Sequence, residues 1–157
     1  TPQPRDIFLP QSSRAGYIVG DSGLIVRTTT GGATWGAPIN IGSSRNLHAM
    51  AFLDFTHIYA VGDSGAIYKR LSALTWTALV VPQNYTDVDF FDICFPHNNF
   101  NYFNQDTGWV VGAKGSILHT KNAGTNWISQ QSNVTTTLRG VYFYDGRTGF
   151  AVGFGSG

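Results

Sequence analysis

The sequence predicts an all-β fold: a β-propeller of four-stranded antiparallel blades, with about three and a half blades in 157 residues. Three observations predict it. One unit recurs along the chain: a strand ending in an apolar pair and glycine, a Gly-x-x-Gly turn, a second strand, then a turn closing on Trp. It runs from Tyr17 to Trp35, from Tyr59 to Trp76 and from Trp109 to Trp127, and breaks off in Phe150 to Gly157. The turn glycines Gly20, Gly62, Gly112 and Gly153 follow one another at intervals of 42, 50 and 41 residues, a period that marks propellers and solenoids. Aromatic residues make up 14% of the chain and charged residues only 12%, a balance that favours strands over helices.

Each element has its own signal. Strand A of a blade carries an apolar triplet, Leu47, Met50 and Phe52, repeated as Phe90, Ile93 and Phe95 and as Leu138, Val141 and Phe143. The last two members of each triplet are two residues apart and share one face of a strand. Strand B covers Tyr17 to Val19, Ile58 to Val61, Trp109 to Val111 and Phe150 to Val152. The Gly-x-x-Gly segments then turn the chain, glycine supplying the angles a tight hairpin needs. The β-rich residues after them deny the helix N-terminus that a phosphate cradle requires. Strand C is Leu24 to Thr28, Ala66 to Lys69 and Ser116 to Thr120, and strand D begins near Trp35, Trp76 and Trp127. Strands A and B thus occur four times and C and D three times, in one propeller segment of units 5–40, 41–83, 84–131 and a broken 132–157. Three and a half blades do not close a ring. The expectation is that further sequence of a longer parent completes it, or that a second chain does, making seven blades.

Composition excludes several functions. A formal charge of +1 without a Lys/Arg run gives no reason to expect a nucleic acid partner, and no stretch is long and apolar enough for a membrane span. Cys94, the single cysteine, reads as a small buried hydrophobe. His48, His57, His97 and His119 lack ligand spacing, so neither a metal nor a cofactor is expected, and His119 reads as a surface residue. Arg5, Arg14, Arg27, Arg45, Arg70, Arg139 and Arg147 look dispersed, with no recurrence at equivalent strand A positions. Asp87, Asp89 and Asp92 are the best acidic group, since an i, i+2 pair in an extended segment can serve glycoside hydrolysis or bind a hard cation.

Antiparallel connectivity places the A–B and C–D turns at one end of the blades and the B–C turns and D–A links at the other. The Asn-rich insertion 96–106, with Tyr102 and Phe103 as possible glycan platforms, falls at the first end. Asp21, Asp63, Lys114, Arg45, Asp87, Asp89 and Arg139 fall at the second and form the candidate binding face.

The pattern Leu138-x-x-Val141-x-Phe143 with Thr148 to Gly153, and Gly-x-Ile-Leu-x-Thr-x-Asn-x-Gly-x-x-Trp over Gly115 to Trp127, resembles the BNR-type repeats of the Ycf48/HCF136 group, the photosystem II stability and assembly factors. The resemblance covers roughly Ile7 to the end. Within it lies an Asp-box turn, well matched by Thr120 to Trp127. The Thr28 to Trp35 copy has Thr30 in place of the acidic residue, and the Lys69 to Trp76 copy has Leu71 and Ala73 at the key places.

The functional expectation is a non-catalytic scaffold that binds a protein partner, exported to the periplasm, cell surface or exterior. The resemblance also implies a photosystem II assembly factor of the thylakoid lumen. A lectin-like module, a sialidase-like hydrolase and a structural filament protein are the remaining alternatives.

Overall fold

The computed structural model describes residues 1–10, 13–54, 56–96 and 106–155. Thirteen strands are found among them. Blade 1 contains β1 (Pro4–Phe8), β2 (Gly16–Gly20) and β3 (Ile25–Thr28). Blade 2 contains β4 (Leu47–Phe52), β5 (Ile58–Gly62), β6 (Ile67–Arg70) and β7 (Trp76–Ala78). Blade 3 contains β8 (Phe90–Cys94), β9 (Gly108–Gly112), β10 (Ile117–Thr120) and β11 (Ile128–Gln130). A two-stranded ribbon, β12 (Thr137–Phe143) with β13 (Gly149–Phe154), follows. All pairings are antiparallel between sequence neighbours. The first strands β1, β4, β8 and β12 pack on one another in turn, which places them at the inner edge of a propeller arc.

The core lies in the seams between sheets. Tyr17, Val19 and Ile25 of blade 1 meet Met50, Ile58, Tyr68 and Trp76 of blade 2 in one cluster. Tyr59, Val61 and Ile67 on the other face of blade 2 meet Ile93, Phe95, Val110 and Trp127 in a second. Period-two alternation in each strand therefore supplies two different interfaces at once. The third triplet member stacks on an aromatic of the preceding blade: Phe52 on Phe8 at 4.7 Å, Phe95 on Tyr59 at 4.7 Å and Phe143 on Trp109 at 3.5 Å. Two tyrosine hydroxyls bolt a blade to the closing turn of the next. Tyr17 donates to the Ala73 carbonyl (3.1 Å) and Tyr59 to the Ala123 carbonyl (2.6 Å).

Two details depart from the sequence expectation. Strand D is formed in blades 2 and 3 but not in blade 1. Beyond Trp35 only Gly36 and Ile39 donate to β3, to Arg27 and Ile25, and Pro38 between them has no N–H to extend the ladder. The first glycine of each B–C turn is also required for another reason than hairpin angles. Gly20 is extended, with φ −176°. A Cβ on Gly20, Gly62, Gly112 or Gly153 would lie 2.1, 1.9, 2.2 or 2.1 Å from a backbone oxygen of the inner strand or its lead-in. The left-handed residues are the last two of the turn: Ser22 and Gly23, Ser64 and Gly65, Lys114 and Gly115.

The Asp-boxes act by hydrogen bonding. Buried Thr120 accepts from the Gly124 N–H (3.0 Å), and Asn122 from that of Asn126 (2.9 Å). In blade 1, Thr28 accepts from Gly32 (3.1 Å) and Thr30 from Thr34 (2.8 Å), so a hydroxyl replaces the acid without loss of the turn. Blade 2 closes differently, with Leu71 and Ser72 N–H groups donating to Thr75, and Trp76 is buried all the same.

Candidate functional site

Each inner strand contains a β-bulge near its start. The register jumps between Pro4 and Asp6, Leu47 and Ala49, Phe90 and Asp92, and Leu138 and Gly140. The bulged residues are therefore Arg5, His48, Phe91 and Arg139, one per blade at one level. Bulges re-aim a side chain out of the pleat, and here they bring the four together. Arg5 Nη1 lies 3.3 Å from His48 Nδ1, the His48 and Phe91 rings are 5.1 Å apart, and the Arg139 guanidinium sits 4.5 Å over the Phe91 ring. The arginines that looked dispersed thus include two at equivalent strand A positions, which corrects the sequence reading. The distance from bulge to turn glycine varies with the length of the A–B connection, so alignment on the glycines hides the register. Alignment on the apolar triplet exposes it, because His48, Phe91 and Arg139 each follow its first member.

The row lies at the end of the blades that carries the B–C turns, and it pairs with them. Arg5 bonds Asp21. His48 Nε2 lies 2.5 Å from an Asp63 oxygen, and Asn46 donates to the other at 2.8 Å. Arg5 donates to Nδ1, which leaves the His48 proton on Nε2, facing the Asp63 carboxylate. Asp89 accepts from the Ser64 N–H at 3.0 Å. Of the residues expected on this face, Asp21, Asp63 and Asp89 are thus committed to internal bonds, while Arg45, Asp87 and Lys114 are exposed. Arg139 belongs to β12 rather than to a link.

One step along the inner strands, Asp6 and Asp92 point at the next blade. Asp6 accepts from the Met50 N–H and Asp92 from the Val141 N–H, each at 2.7 Å. Burial raises both carboxyl groups above the ordinary 3.8, against the opposing effect of those N–H donors. Asp92 and Asp89 hold backbone donors, so the acidic group proposed for hydrolysis is built into the blade seams, with only Asp87 free on the surface.

Other candidates resolve in the same way. Cys94 is half-buried, its thiol pushed up by burial, and it receives the Phe143 N–H at 3.4 Å. His119 is no simple surface residue: it stacks on Trp109 at 4.7 Å, and burial and then Lys121 lower its pKa. Among the described residues no group of three His, Cys, Asp or Glu side chains is arranged to hold a metal. No helix among them is long and apolar enough to cross a membrane. The insertion residues 97–105, including Tyr102 and Phe103, lie outside the described residues. A cleft of about 540 Å³ opens beside Trp35, lined by Arg27, Pro38, Ile39 and Leu74. It marks the place where blade 1 lacks strand D, whereas the bulge recurs in each blade, so we take the bulge row as the stronger candidate.

The comparisons with known proteins agree with this architecture. The chain is 25% identical over 153 residues to the photosystem II assembly lipoprotein Ycf48 of Picosynechococcus sp., covering 92% of this chain and 43% of that protein. It therefore spans less than half the length of that relative. Among solved structures it is similar to YCF48 bound to D1 peptide (TM-score 0.59, 19% identity, 96% of this chain and 61% of that one). It is also similar to YCF48 from Cyanidioschyzon merolae (TM-score 0.55, 16% identity, 96% and 66%). An ancestral GH74 enzyme shares the fold over 80% of this chain and 18% of its own (TM-score 0.64, 15% identity). The model of the photosynthesis system II assembly factor YCF48 family matches residues 37–156, most of the chain, and the chain belongs to that family.

Proposed function

We propose that this chain is a non-catalytic protein-binding propeller that serves photosystem II assembly, by holding a peptide segment of its client at the turn end of the arc. The observation that carries the reading is the row of Arg5, His48, Phe91 and Arg139, one side chain per blade on a rigid inner wall. A preorganised wall binds without a large ordering cost. A relative solved with a D1 peptide makes a D1 segment the first ligand to try. This role fits the family better than a general exported scaffold does, and it favours a lumenal or membrane-associated location over an extracellular one. The GH74 likeness carries fold alone, and a glycan reading has no described residue in its favour.

Titration calorimetry of this protein with peptides tiling D1 tests the proposal. Saturable binding of one segment, weakened by the double variant Phe91→Ala, Arg139→Gln, is the expected result. Absence of binding by every segment overturns it.

A further inference from the structure

The seam between blades 1 and 2 departs from the repeat, and its departures border one cleft. In blade 2, Leu79 follows Trp76 by three residues and its N–H closes on Ile67 (2.8 Å). Ile39 makes the same bond to Ile25 (2.7 Å) but follows Trp35 by four residues. The added residue falls within Gly36-Ala37-Pro38, so the chain bows out from β3 and leaves the cleft of about 540 Å³. Across the seam, Leu74 in the closing turn of blade 2 lines the same space and is 63% exposed, where blade 3 has Thr125.

The cation on this seam is also placed differently. Arg27 pairs across the sheet with Tyr17, as Lys69 pairs with Tyr59. Lys69 rests its ammonium over the Tyr59 ring, 5.6 Å from the centroid. The Tyr17 ring is instead faced by Arg70 of blade 2 at 5.9 Å, and Arg70 Nη1 donates to the Tyr17 hydroxyl (3.2 Å). Arg27 lines the cleft. Its Nε is buried and meets no acceptor, and it takes part in no ion pair among the described residues. A half-buried guanidinium without an acceptor is costly, and a ligand that brings one recovers the cost on binding.

We propose that this cleft binds a small carboxylate with an apolar body, its carboxylate on Arg27 and its body against Pro38, Ile39 and Leu74. The planar fork of an arginine matches a carboxylate. The volume suits a small molecule, and apolar walls with one charged handle are the usual make-up of such sites. The other polar side chains of the lining, such as Thr29 and Asn40, are uncharged, which favours a monoanion over a phosphate. The site shares no residue with the bulge row and does not depend on the peptide reading of that row.

Octanoate and octan-1-ol carry similar apolar chains and differ in charge, so calorimetry with each separates the two halves of the proposal. Octanoate should saturate one site and bind about tenfold or more tightly than the alcohol, the ordinary worth of a charged hydrogen bond. Arg27→Gln should bring octanoate down to the level of the alcohol. Leu74→Ser, at an exposed turn position, should weaken both probes, and Lys69→Gln at the equivalent place in the second seam should change neither. Should Arg27→Gln lower the unfolding midpoint, Leu74→Ser and the octanoate-to-octanol ratio still decide. Absence of saturable octanoate binding, or equal binding by the natural chain, Arg27→Gln and Leu74→Ser, overturns the proposal. Displacement of octanoate by an equal concentration of inorganic phosphate overturns its apolar half.

Discussion

Tyr59-Ala60-Val61 and Phe150-Ala151-Val152 occupy the same place in the repeat, yet their surroundings are opposite. Tyr59 and Val61 are fully buried, while Phe150 is 73% and Val152 63% exposed. Blade 3 covers the first pair with Ile93 and Phe95, and no described element covers the second. The alternation of apolar residues therefore defines which face a strand offers, whereas burial belongs to the neighbouring blade. In an arc of sheets each seam is an interface between two repeats, and stability is gained seam by seam.

The sharpest way to break this contrast is a matched pair of truncations. Tyr59→Ala should destabilise the chain by about 3–5 kcal/mol in urea unfolding, the range for large aromatic deletions in cores. Phe150→Ala in the same protein should cost less than about 0.5 kcal/mol, as exposed positions do. Equal effects would mean that β13 is covered in solution.

A smaller change isolates polar contacts in the same seam. Thr120→Val removes the acceptor of the Gly124 N–H inside a buried turn and should cost about 1–3 kcal/mol, with Trp127 fluorescence reporting the loosened box. Tyr59→Phe keeps the ring and loses only the bolt to Ala123, for about 1 kcal/mol. Burial raises the Tyr59 hydroxyl pKa, with Asp54 and Asp106 adding to it, so this bolt persists in mildly alkaline solution.

The smallest effect is in pH dependence, and its sign differs between two groups of acids. Burial pushes the Asp54 carboxyl up. Hydrogen bonds from the Thr56 and His57 side chains and from both their backbone N–H groups outweigh it and hold the value at about 2. Its contribution is present above 3.8 and lost as pH falls through about 2. Asp6 and Asp92 are raised, so their linked contribution is fullest below 3.8 and declines as pH rises through their folded values. Asp54→Ala should flatten the acid limb of a stability profile below pH 3.8, and Asp92→Asn should reduce the decline above it.

The repeat made the fold readable because each blade solves the same packing problem with the same residues. Tyr17, Tyr59 and Trp109 precede an apolar pair and glycine each time, and the seam they form follows from alternation. Two things escaped that logic. Pro38 ended strand D of blade 1 through the absence of one N–H, a local veto that the Trp35 signal does not reveal. The row as a whole escaped because a bulge adds a residue without leaving a mark in composition: Arg139 was visible as a candidate, but Arg5, His48, Phe91 and Arg139 have no chemical identity in common, only a register. The turn acids Asp21 and Asp63 were visible as candidates, but their partners, and hence their neutralisation, became apparent only through strand pairing.

The bulge also separates two demands that a repeat protein usually has to satisfy with the same residues. The side chain it displaces sits outside the alternation that builds the seams, so exchanging it alters what the wall displays while the packing code stays intact. Each blade thereby contributes one letter to a line of text written around the axis, in a fixed order and at a fixed spacing. Arg, His, Phe, Arg is the portion carried by this chain, and a swap at any of the four rewrites that line without a second edit in the core.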